Sequence, residues 1–282
     1  MPELNILGKI IAYKKEEVRQ RRQEMPVAEL EKNPFFKREV ISLKKFLADP
    51  AKTGIIAEFK RRSPSRGIIH ATASVESVTA AYARYGAAAI SVLTDTTSFG
   101  GSTEDLVRAR VQTLPILRKD FTIDEYQITE ARAMGADIIL LIAACLTVPE
   151  TKRLAVFAKN LGMETLLEIH QESELDHDGD AIDVVGINNR DLKTFTVDIN
   201  RSIALAKGLP ADKMLIAESG IRDVETLCTL KSAGFSGFLI GEQFMKEPDP
   251  AIAFASFVDQ LKRKLHESKS LRHDATRSGE KA

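Results

Sequence analysis

The sequence predicts a TIM (β/α)8 barrel with an extra N-terminal helical segment. Short runs rich in β-branched and apolar residues alternate with longer stretches that have helical spacing. The runs are continuously apolar, as in parallel strands that are covered on both faces. About eight of them fall within roughly 250 residues, which is the usual size of such a barrel. An open doubly wound α/β sheet is the alternative architecture that the same alternation allows.

Eight apolar runs are the predicted strands. In chain order they are 54–59, 88–94, 115–121, 137–143, 164–170, 182–188, 213–219 and 237–241. The stretches between them, such as 74–86 and 147–162, carry apolar residues at helical spacing. Several of these stretches stop at a glycine, which commonly ends a helix, and each is followed by a short turn into the next strand.

The two ends of the chain differ from the middle. Residues 1–47 include ILGKIIAYKKEEVRQRRQE, whose apolar residues lie near one helical face. Acidic residues interrupt its positive charge, so we interpret the run as a solvated helix face and not as a nucleic-acid-binding arm. The predicted division is a helical extension packed on the barrel over 1–47, the barrel over 48–266, and a disordered tail over 267–282.

Composition limits the possible classes of function. Forty basic and forty acidic residues cancel, which argues against a general nucleic-acid or membrane-surface binder. No apolar run approaches the roughly 18 residues of a membrane span, and the first residues lack the pattern of a signal peptide. Cys145 and Cys228 form no CxxC motif and have no nearby histidine cluster. We therefore expect a cytoplasmic, metal-free protein with reduced thiols.

Polar residues follow nearly every predicted strand, the fourth being the exception. The carboxyl ends of the strands carry the active site in barrels of this type. In chain order those ends have Glu58 and Lys60, Thr94 and Asp95, Lys119 and Asp120, Glu168, Asn188 and Arg190, Glu218 to Gly220, and Gly241. Contact with water explains any one of these residues. So many at one rim indicate a common site.

Two glycine turns indicate an anion site. IAESGI and FLIGEQF place small residues after the seventh and eighth strands, where barrel enzymes often bind phosphate with backbone N–H groups. Glycine lets the backbone approach an anion closely, and the Ser219 hydroxyl is a further donor. A third glycine turn, over 98–102, fits an ordinary loop equally well. Because the chain has neither a dinucleotide loop nor histidine and cysteine residues at ligand spacing, we expect no cofactor.

Seven strand-end motifs follow one another along the chain: AEFKRRSPS, LTDTTSFGGS, LRKDF, LLEIH, GINNRDL, AESGI and LIGEQFM. In this order they resemble the motifs of the indole-3-glycerol-phosphate synthase family, from the N-terminal helix to about residue 262. The departures are a histidine in EIH, the variant GEQFMK, and a stretch before the sixth strand that is shorter by about one residue. None of them removes an expected catalytic group, although the last can alter the helix after strand five.

The resemblance implies a reaction of tryptophan biosynthesis. Members of the family cyclise 1-(2-carboxyphenylamino)-1-deoxyribulose 5-phosphate to indole-3-glycerol phosphate, with release of carbon dioxide and water. A ring carbon attacks a ketone, whose oxygen needs an acid as negative charge develops. Loss of the hydroxyl group then needs both an acid and a base.

The resemblance also implies a role for each site residue. Lys119 is the general acid, Glu168 is the base, and Lys60 is a second acid or an anchor for the substrate carboxylate. Glu58 orients the lysines by charged hydrogen bonds. The other implied contacts are Asn188 to a substrate hydroxyl, Arg190 to the anthranilate carboxylate, Phe99 and Phe121 on either side of the aromatic ring, and Ser63, Ser219, Gly220, Gly241 and Glu242 around the phosphate. For either phenylalanine, a role in the core fits the sequence equally well.

Two rival functions make different demands on the sequence. Phosphoribosylanthranilate isomerase, a related barrel, uses a cysteine at the first strand end, where this chain has Glu58. A barrel that binds a phosphosugar without turnover would be expected to lack Lys119 or Glu168, and both are present. The expected partner is a phosphosugar substrate, without nucleic acid or membrane, for a monomer or weak homo-oligomer.

Overall fold

The computed structural model describes residues 6–64, 66–191, 194 and 196–279, and side chains between residues 7 and 267 of these ranges. Eight parallel strands close a barrel in sequential order. They are β1 (Ile55–Phe59), β2 (Ala89–Leu93), β3 (Ile116–Lys119), β4 (Ile138–Ile142), β5 (Glu164–Ile169), β6 (Val184–Asn188), β7 (Met214–Glu218) and β8 (Gly237–Ile240). Strand β1 closes the barrel by pairing with β8, with Ile55 opposite Phe238. The predicted TIM barrel is confirmed, and the open sheet is wrong.

Helices surround the barrel and pack against the outward-facing side chains of its strands. They are α1 (Ile6–Glu24), α2 (Val27–Leu30), α3 (Leu43–Ala48), α4 (Val75–Arg84), α5 (Thr96–Phe99), α6 (Thr103–Ala109), α7 (Glu125–Ala133), α8 (Val148–Asn160), α9 (Ile199–Ala206), α10 (Val224–Ser232), α11 (Glu242–Met245) and α12 (Pro250–Gly279). Short 3-10 helices cover Pro34–Lys37, Ala143–Cys145 and Glu172–His177. Glycines end several helices as predicted, for example Gly86 with φ 92° and Gly135 with φ 91°.

The connection from β5 to β6 departs from the regular β-then-α repeat. Its ordered element is the 3-10 helix Glu172–His177, followed by the run DGD over 178–180. Aspartate and glycine disfavour a helix interior, and the connection is short, so a full α-helix does not form. The shortening by about one residue that the sequence indicates for this region stays a prediction.

Strand alternation separates two cores. Ile56, Leu117, Leu166 and Ile216 point into the barrel, where they pack together with other strand residues. Their neighbours on the same strands face outward and pack against the helices in a larger cluster. Because side chains alternate with period two, residues two positions after the inward leucines and isoleucines also point inward, now at the carboxyl rim. The position of each polar residue along its strand therefore decides whether it faces the site.

The predicted ends of the chain are described in part. Residues 1–5 and 280–282 lie outside the described residues, and the division at residues 47 and 266 stays a prediction. Helix α12 continues to Gly279, whereas a disordered tail from residue 267 was expected. Residues such as Leu, Arg, Lys and Glu favour helix, so a helix packed on the barrel can propagate into a polar segment. Each helix within the described ranges is too short or too polar to cross a membrane.

Candidate active site

A cavity of about 620 Å³ opens at the carboxyl ends of the strands. It is lined by every site residue predicted from the sequence: Glu58, Lys60, Ser63, Phe99, Lys119, Phe121, Glu168, Asn188, Arg190, Ser219, Gly220, Gly241 and Glu242. Leu7 and Ile10 of α1 form another part of the wall, so the N-terminal extension borders the cavity as well as packing on the barrel. Its volume is in the range of small-molecule sites.

An ammonium group between two carboxylates occupies the centre of the rim. Lys119 Nζ lies 2.6 Å from Glu168 Oε2 and 2.9 Å from Glu218 Oε2. Lys119 and Glu218 are the last residues of β3 and β7, and Glu168 is the last residue but one of β5. Each lies two positions beyond an inward-facing apolar residue. Gly186 on β6 makes room for Glu218, because a Cβ at that position would lie 2.1 Å from Glu218 Oε1.

Two further groups hold the Glu168 carboxylate. Asn188 Nδ2 donates a hydrogen bond to Oε1 over 2.9 Å, and His170 Nε2 lies 3.1 Å from the same oxygen. The His170 backbone N–H in turn donates to Glu174 Oε2 over 2.6 Å. Glu168 is therefore fixed by an amide, an ammonium and an imidazole, which leaves it little rotational freedom.

Charge and burial shift the pKa values of this cluster in opposite directions. Burial acts against the charged form of Lys119, but the carboxylates of Glu168 and Glu218 outweigh it and raise the lysine pKa. Burial would raise the pKa of Glu168, yet Lys119 and His170 hold it well below its usual range. Burial raises the pKa of Glu218 to about 7, even though Lys119 opposes the shift. The site thus contains one firmly ionised carboxylate and one that titrates near neutrality.

His170 is held in its charged form by the same groups. Burial lowers its pKa, but the carboxylates of Glu168 and Glu174 raise it to about 9. The imidazolium adds a positive charge beside Glu168.

Glu58 and Lys60 form a second ion pair at the end of β1. Lys60 Nζ lies 2.6 Å from Glu58 Oε1. A side chain at position 241 would displace this carboxylate, because a Cβ on Gly241 would lie 2.6 Å from Glu58 Oε1 and 2.8 Å from Glu58 Cβ. Gly241 is thus required by close packing against Glu58.

The predicted anion site surrounds the ends of β7 and β8. Ser219 and Gly220 both adopt left-handed φ angles, 66° and 72°, so the chain turns sharply after β7. Helix α11 begins directly after β8 with Glu242, next to Gly241. Basic side chains also border this end: Arg66 Nε lies 3.1 Å from Glu242 Oε1, and Arg222 and Lys246 line the cavity.

The rings of Phe99 and Phe121 form one wall of the cavity, not the two sides of a sandwich. Their centroids are 6.1 Å apart and their planes are inclined by 32°. A third ring between two faces needs about 7 Å, twice the optimal carbon–carbon contact distance. Both rings also pack with apolar side chains of the barrel interior, so each contributes to the core and to the cavity wall.

Arg190 lies two residues after the end of β6, in the segment that connects β6 to α9. Its backbone N–H donates to Asn188 Oδ1 over 3.0 Å, and it forms a β-bridge with Val197. The neighbouring Asn189 Nδ2 donates to the Ser219 carbonyl over 2.8 Å. These contacts connect the Arg190 segment to the turn at the predicted anion site.

Sequence reasoning left Glu218 and His170 without a role in the site. Glu218 was noted at a strand end, and the parity that selects Glu168 also selects Glu218, so the signal was present. His170 was noted as a departure from the family pattern, but no sequence pattern indicates that its ring turns toward Glu168. The wall formed by Leu7 and Ile10 depends on how α1 packs across the mouth.

The closed barrel and its acid–base cluster at the carboxyl rim define an α/β-barrel enzyme. A family model described as indole-3-glycerol phosphate synthase matches residues 7–257. An indole-3-glycerol phosphate synthase from Bacteroides thetaiotaomicron is 46% identical over 258 residues, covering 91% of this chain and 99% of that protein. One from Salinibacter ruber is 43% identical and covers 89% of this chain and 94% of that protein.

A solved structure shows the same fold at low sequence identity. The crystal structure of 3-hexulose-6-phosphate synthase superposes with a TM-score of 0.57 at 13% identity, covering 74% of this chain and 98% of that one. The family match and the two relatives agree over nearly the whole chain. The chain therefore belongs to the indole-3-glycerol phosphate synthase family, the carboxy-lyases of tryptophan biosynthesis.

Proposed function

We propose that this chain converts 1-(2-carboxyphenylamino)-1-deoxyribulose 5-phosphate to indole-3-glycerol phosphate with the cluster around Lys119 as its acid–base centre. The observation that carries this assignment is the Lys119 ammonium between Glu168 and Glu218, at 2.6 Å and 2.9 Å. A cation fixed at the mouth of a largely buried cluster can stabilise negative charge as soon as it develops on substrate.

Lys119 acts in the ring-closing step. The aromatic carbon attacks the ketone, the carbonyl bond breaks toward oxygen, and the Lys119 ammonium donates its proton to the forming alkoxide. The raised pKa keeps the lysine charged before the reaction, and an alkoxide is a far stronger base than an amine. Loss of carbon dioxide then returns the electron pair of the broken carbon–carbon bond to the ring system. The Lys119 amine regains a proton from solvent, and the two carboxylates stabilise the restored ammonium.

Glu168 acts in the dehydration step. Departure of the hydroxyl group as water requires a proton on that oxygen and removal of a proton from the intermediate. Glu168 is ionised and is held by Asn188, so it is a base in a fixed position. Lys60, paired with Glu58 at 2.6 Å, supplies the acid for the leaving hydroxyl or binds the substrate carboxylate.

The remaining residues bind the two ends of the substrate. Arg190 pairs with the anthranilate carboxylate, for which a planar guanidinium fork is suited. Phe99 and Phe121 contact one side of the benzene ring as a continuous apolar wall. Ser63, Ser219, Gly220, Gly241 and Glu242 surround the phosphate, the last two through backbone N–H groups at the start of α11.

We also infer a cytoplasmic, cofactor-free enzyme that binds neither nucleic acid nor membrane and is a monomer or weak homo-oligomer. Balanced charge and two free cysteines support this setting. The acid, base and charge-stabilising groups that the reaction needs are all side chains of this chain.

The direct test is turnover by the purified protein. The carboxyphenylamino-deoxyribulose phosphate is added, and formation of indole-3-glycerol phosphate is followed by its fluorescence and by release of carbon dioxide in equal amount. We expect both signals from the wild type and from Lys207→Met, an exposed lysine on the barrel exterior. Absence of product, or turnover of phosphoribosylanthranilate instead, would overturn the assignment.

A further inference from the structure

Helix α1 carries a lysine that is completely buried. Lys14 is 0% exposed, and its Nζ lies 2.8 Å from Asp95 Oδ2, 2.8 Å from Asp120 Oδ1 and 2.9 Å from Glu17 Oε2. Two of these carboxylates belong to the barrel, at the ends of β2 and β3, and only Glu17 shares the helix. Lys14 therefore joins the N-terminal extension to two adjacent strand ends.

A buried ion pair of this kind is a poor source of stability. Removing the ammonium and the carboxylates from water costs several kcal/mol per ion, and apolar replacements of whole buried pairs are often neutral or stabilising. The geometry of such a network is strict, however, because every charge must keep its partner. The position of Lys14 is thus better explained by what its partners hold in place.

Asp95 holds the short helix that carries Phe99. It is the N-cap of α5, and its Oδ1 accepts a hydrogen bond from the Ser98 backbone N–H over 2.6 Å. The other oxygen, Oδ2, faces Lys14 and also accepts from the Tyr13 hydroxyl over 2.6 Å. Two consecutive residues of α1, Tyr13 and Lys14, therefore contact the Asp95 carboxylate that caps α5.

Asp120 holds the segment that carries Phe121. Its Oδ1, the atom beside Lys14, accepts a hydrogen bond from the Phe121 backbone N–H over 2.8 Å. Its Oδ2 accepts from Thr94 Oγ1 over 2.5 Å and from Arg118 over 3.2 Å. The same side chain thus links α1, β2 and β3 at the point where Phe121 turns into the cavity.

We propose that Lys14 is a positioning residue for the aromatic end of the substrate site: by fixing Asp95 and Asp120 relative to one another, it sets the separation and tilt of Phe99 and Phe121. The inference rests on the proposed contact between these rings and the benzene ring of the substrate. It makes α1 part of the binding site beyond the wall formed by Leu7 and Ile10.

The test compares the two ends of the site in Lys14→Met. Anthranilate is the probe for the aromatic end, inorganic phosphate is the probe for the phosphate end, and kcat and KM are measured with the full substrate. We expect anthranilate affinity to fall about tenfold and KM to rise similarly, as for residues coupled through a shared network. Phosphate affinity and kcat should change by less than about twofold, a small fraction of that coupling. Lys15→Met, exposed on the same helix, should match the wild type in all four quantities.

A general loosening of the fold would weaken both ends equally, and that result, like unchanged anthranilate affinity, would overturn the proposal. Tyr13→Phe removes only the hydroxyl that donates to Asp95, so it is the second variant if Lys14→Met does not fold. It should weaken anthranilate binding about threefold, which lies in the range for the net loss of one ordinary hydrogen bond; unchanged anthranilate binding would also overturn the proposal. Phe99→Leu tests the contact between the rings and the substrate separately from the role of Lys14. If this variant binds anthranilate as the wild type does, the assigned ring contact is wrong, irrespective of the result for Lys14→Met.

Discussion

The Lys119 ammonium lies 2.6 Å from the Glu168 carboxylate, although 49 positions separate the two residues along the chain. They meet because β3 and β5 end at the same rim and because both side chains point into the barrel. Neither strand is adjacent to the other, since β4 lies between them. The contact therefore passes over the end of β4 and depends on the curvature of the sheet.

Lys119→Met should lower turnover by at least roughly a hundredfold, because the forming alkoxide loses its proton donor and its counter-ion. The variant should also lose about 3 kcal/mol of unfolding free energy, since the buried Glu168 carboxylate loses the ammonium beside it and keeps only His170 as a cationic neighbour. Turnover is therefore measured at a temperature at which circular dichroism shows the variant folded, with Lys207→Met as the control. If the variant retains more than about a tenth of wild-type turnover, the loss is smaller than removal of a general acid causes. The role of general acid would then pass to Lys60.

Arg190→Lys should raise KM by about tenfold while leaving kcat within about threefold. Lysine keeps the positive charge but loses the two-point geometry toward the substrate carboxylate. A tenfold rise in KM corresponds to a loss of about 1.4 kcal/mol of binding free energy. Steady-state kinetics measure KM and kcat separately, and a thermal melt checks that the variant is folded. An unchanged KM in a folded variant would assign Arg190 a structural role in the segment between β6 and α9.

Glu218→Gln should stabilise the protein at pH 8 and have a smaller effect at pH 5. Burial raises the pKa of folded Glu218 to about 7, above the ordinary value that it regains on unfolding. The folded state then binds the proton more tightly than the unfolded state, so stability falls as the pH rises through this window. Glutamine removes that loss, and we expect a gain of about 1–3 kcal/mol at pH 8, with each pKa unit worth about 1.4 kcal/mol. Urea titrations across pH 5 to 8 measure it; a gain that does not vary with pH would contradict the assignment.

Gly241→Ala should reduce kcat/KM by at least about tenfold. The new Cβ would lie within 3 Å of Glu58 Oε1 and Cβ, so the Glu58–Lys60 pair must move. Gly179→Ala is the matched control, because a Cβ at that exposed position meets nothing within 4 Å. Equal kinetics for the two alanine variants would show that the cavity tolerates a displaced Glu58.

Treatment with excess EDTA should leave the turnover of wild-type enzyme unchanged. Among the residues that the structure describes, no group of three or more histidine, cysteine, aspartate or glutamate residues is arranged to hold a metal ion. Lys119 supplies the positive charge for which other enzymes use a metal. Loss of activity with EDTA and its return with a divalent ion would show that the reaction needs a metal after all.

The barrel and most of the site could be predicted from residue order. Eight apolar runs, glycines after helices and polar residues after strands are local patterns, because strand burial and turn conformation act over a few residues. The inward positions of Glu58, Lys119 and Glu168 follow from the two-residue period of a strand. These features need no knowledge of distant contacts, and in the structure the predicted site residues all line one cavity.

Other features depend on contacts between distant segments. The Glu218 pKa results from burial beside Lys119 and Glu168, charges that come from other strands. The separation of Phe99 and Phe121 depends on how α5 packs against the end of β3, so their arrangement as one wall could not be read from either motif. Lys14 looks like any solvated lysine of a charged helix until α1 lies across the barrel and brings it to Asp95 and Asp120. Burial and long-range electrostatics arise only when the chain closes on itself, and no local pattern records them.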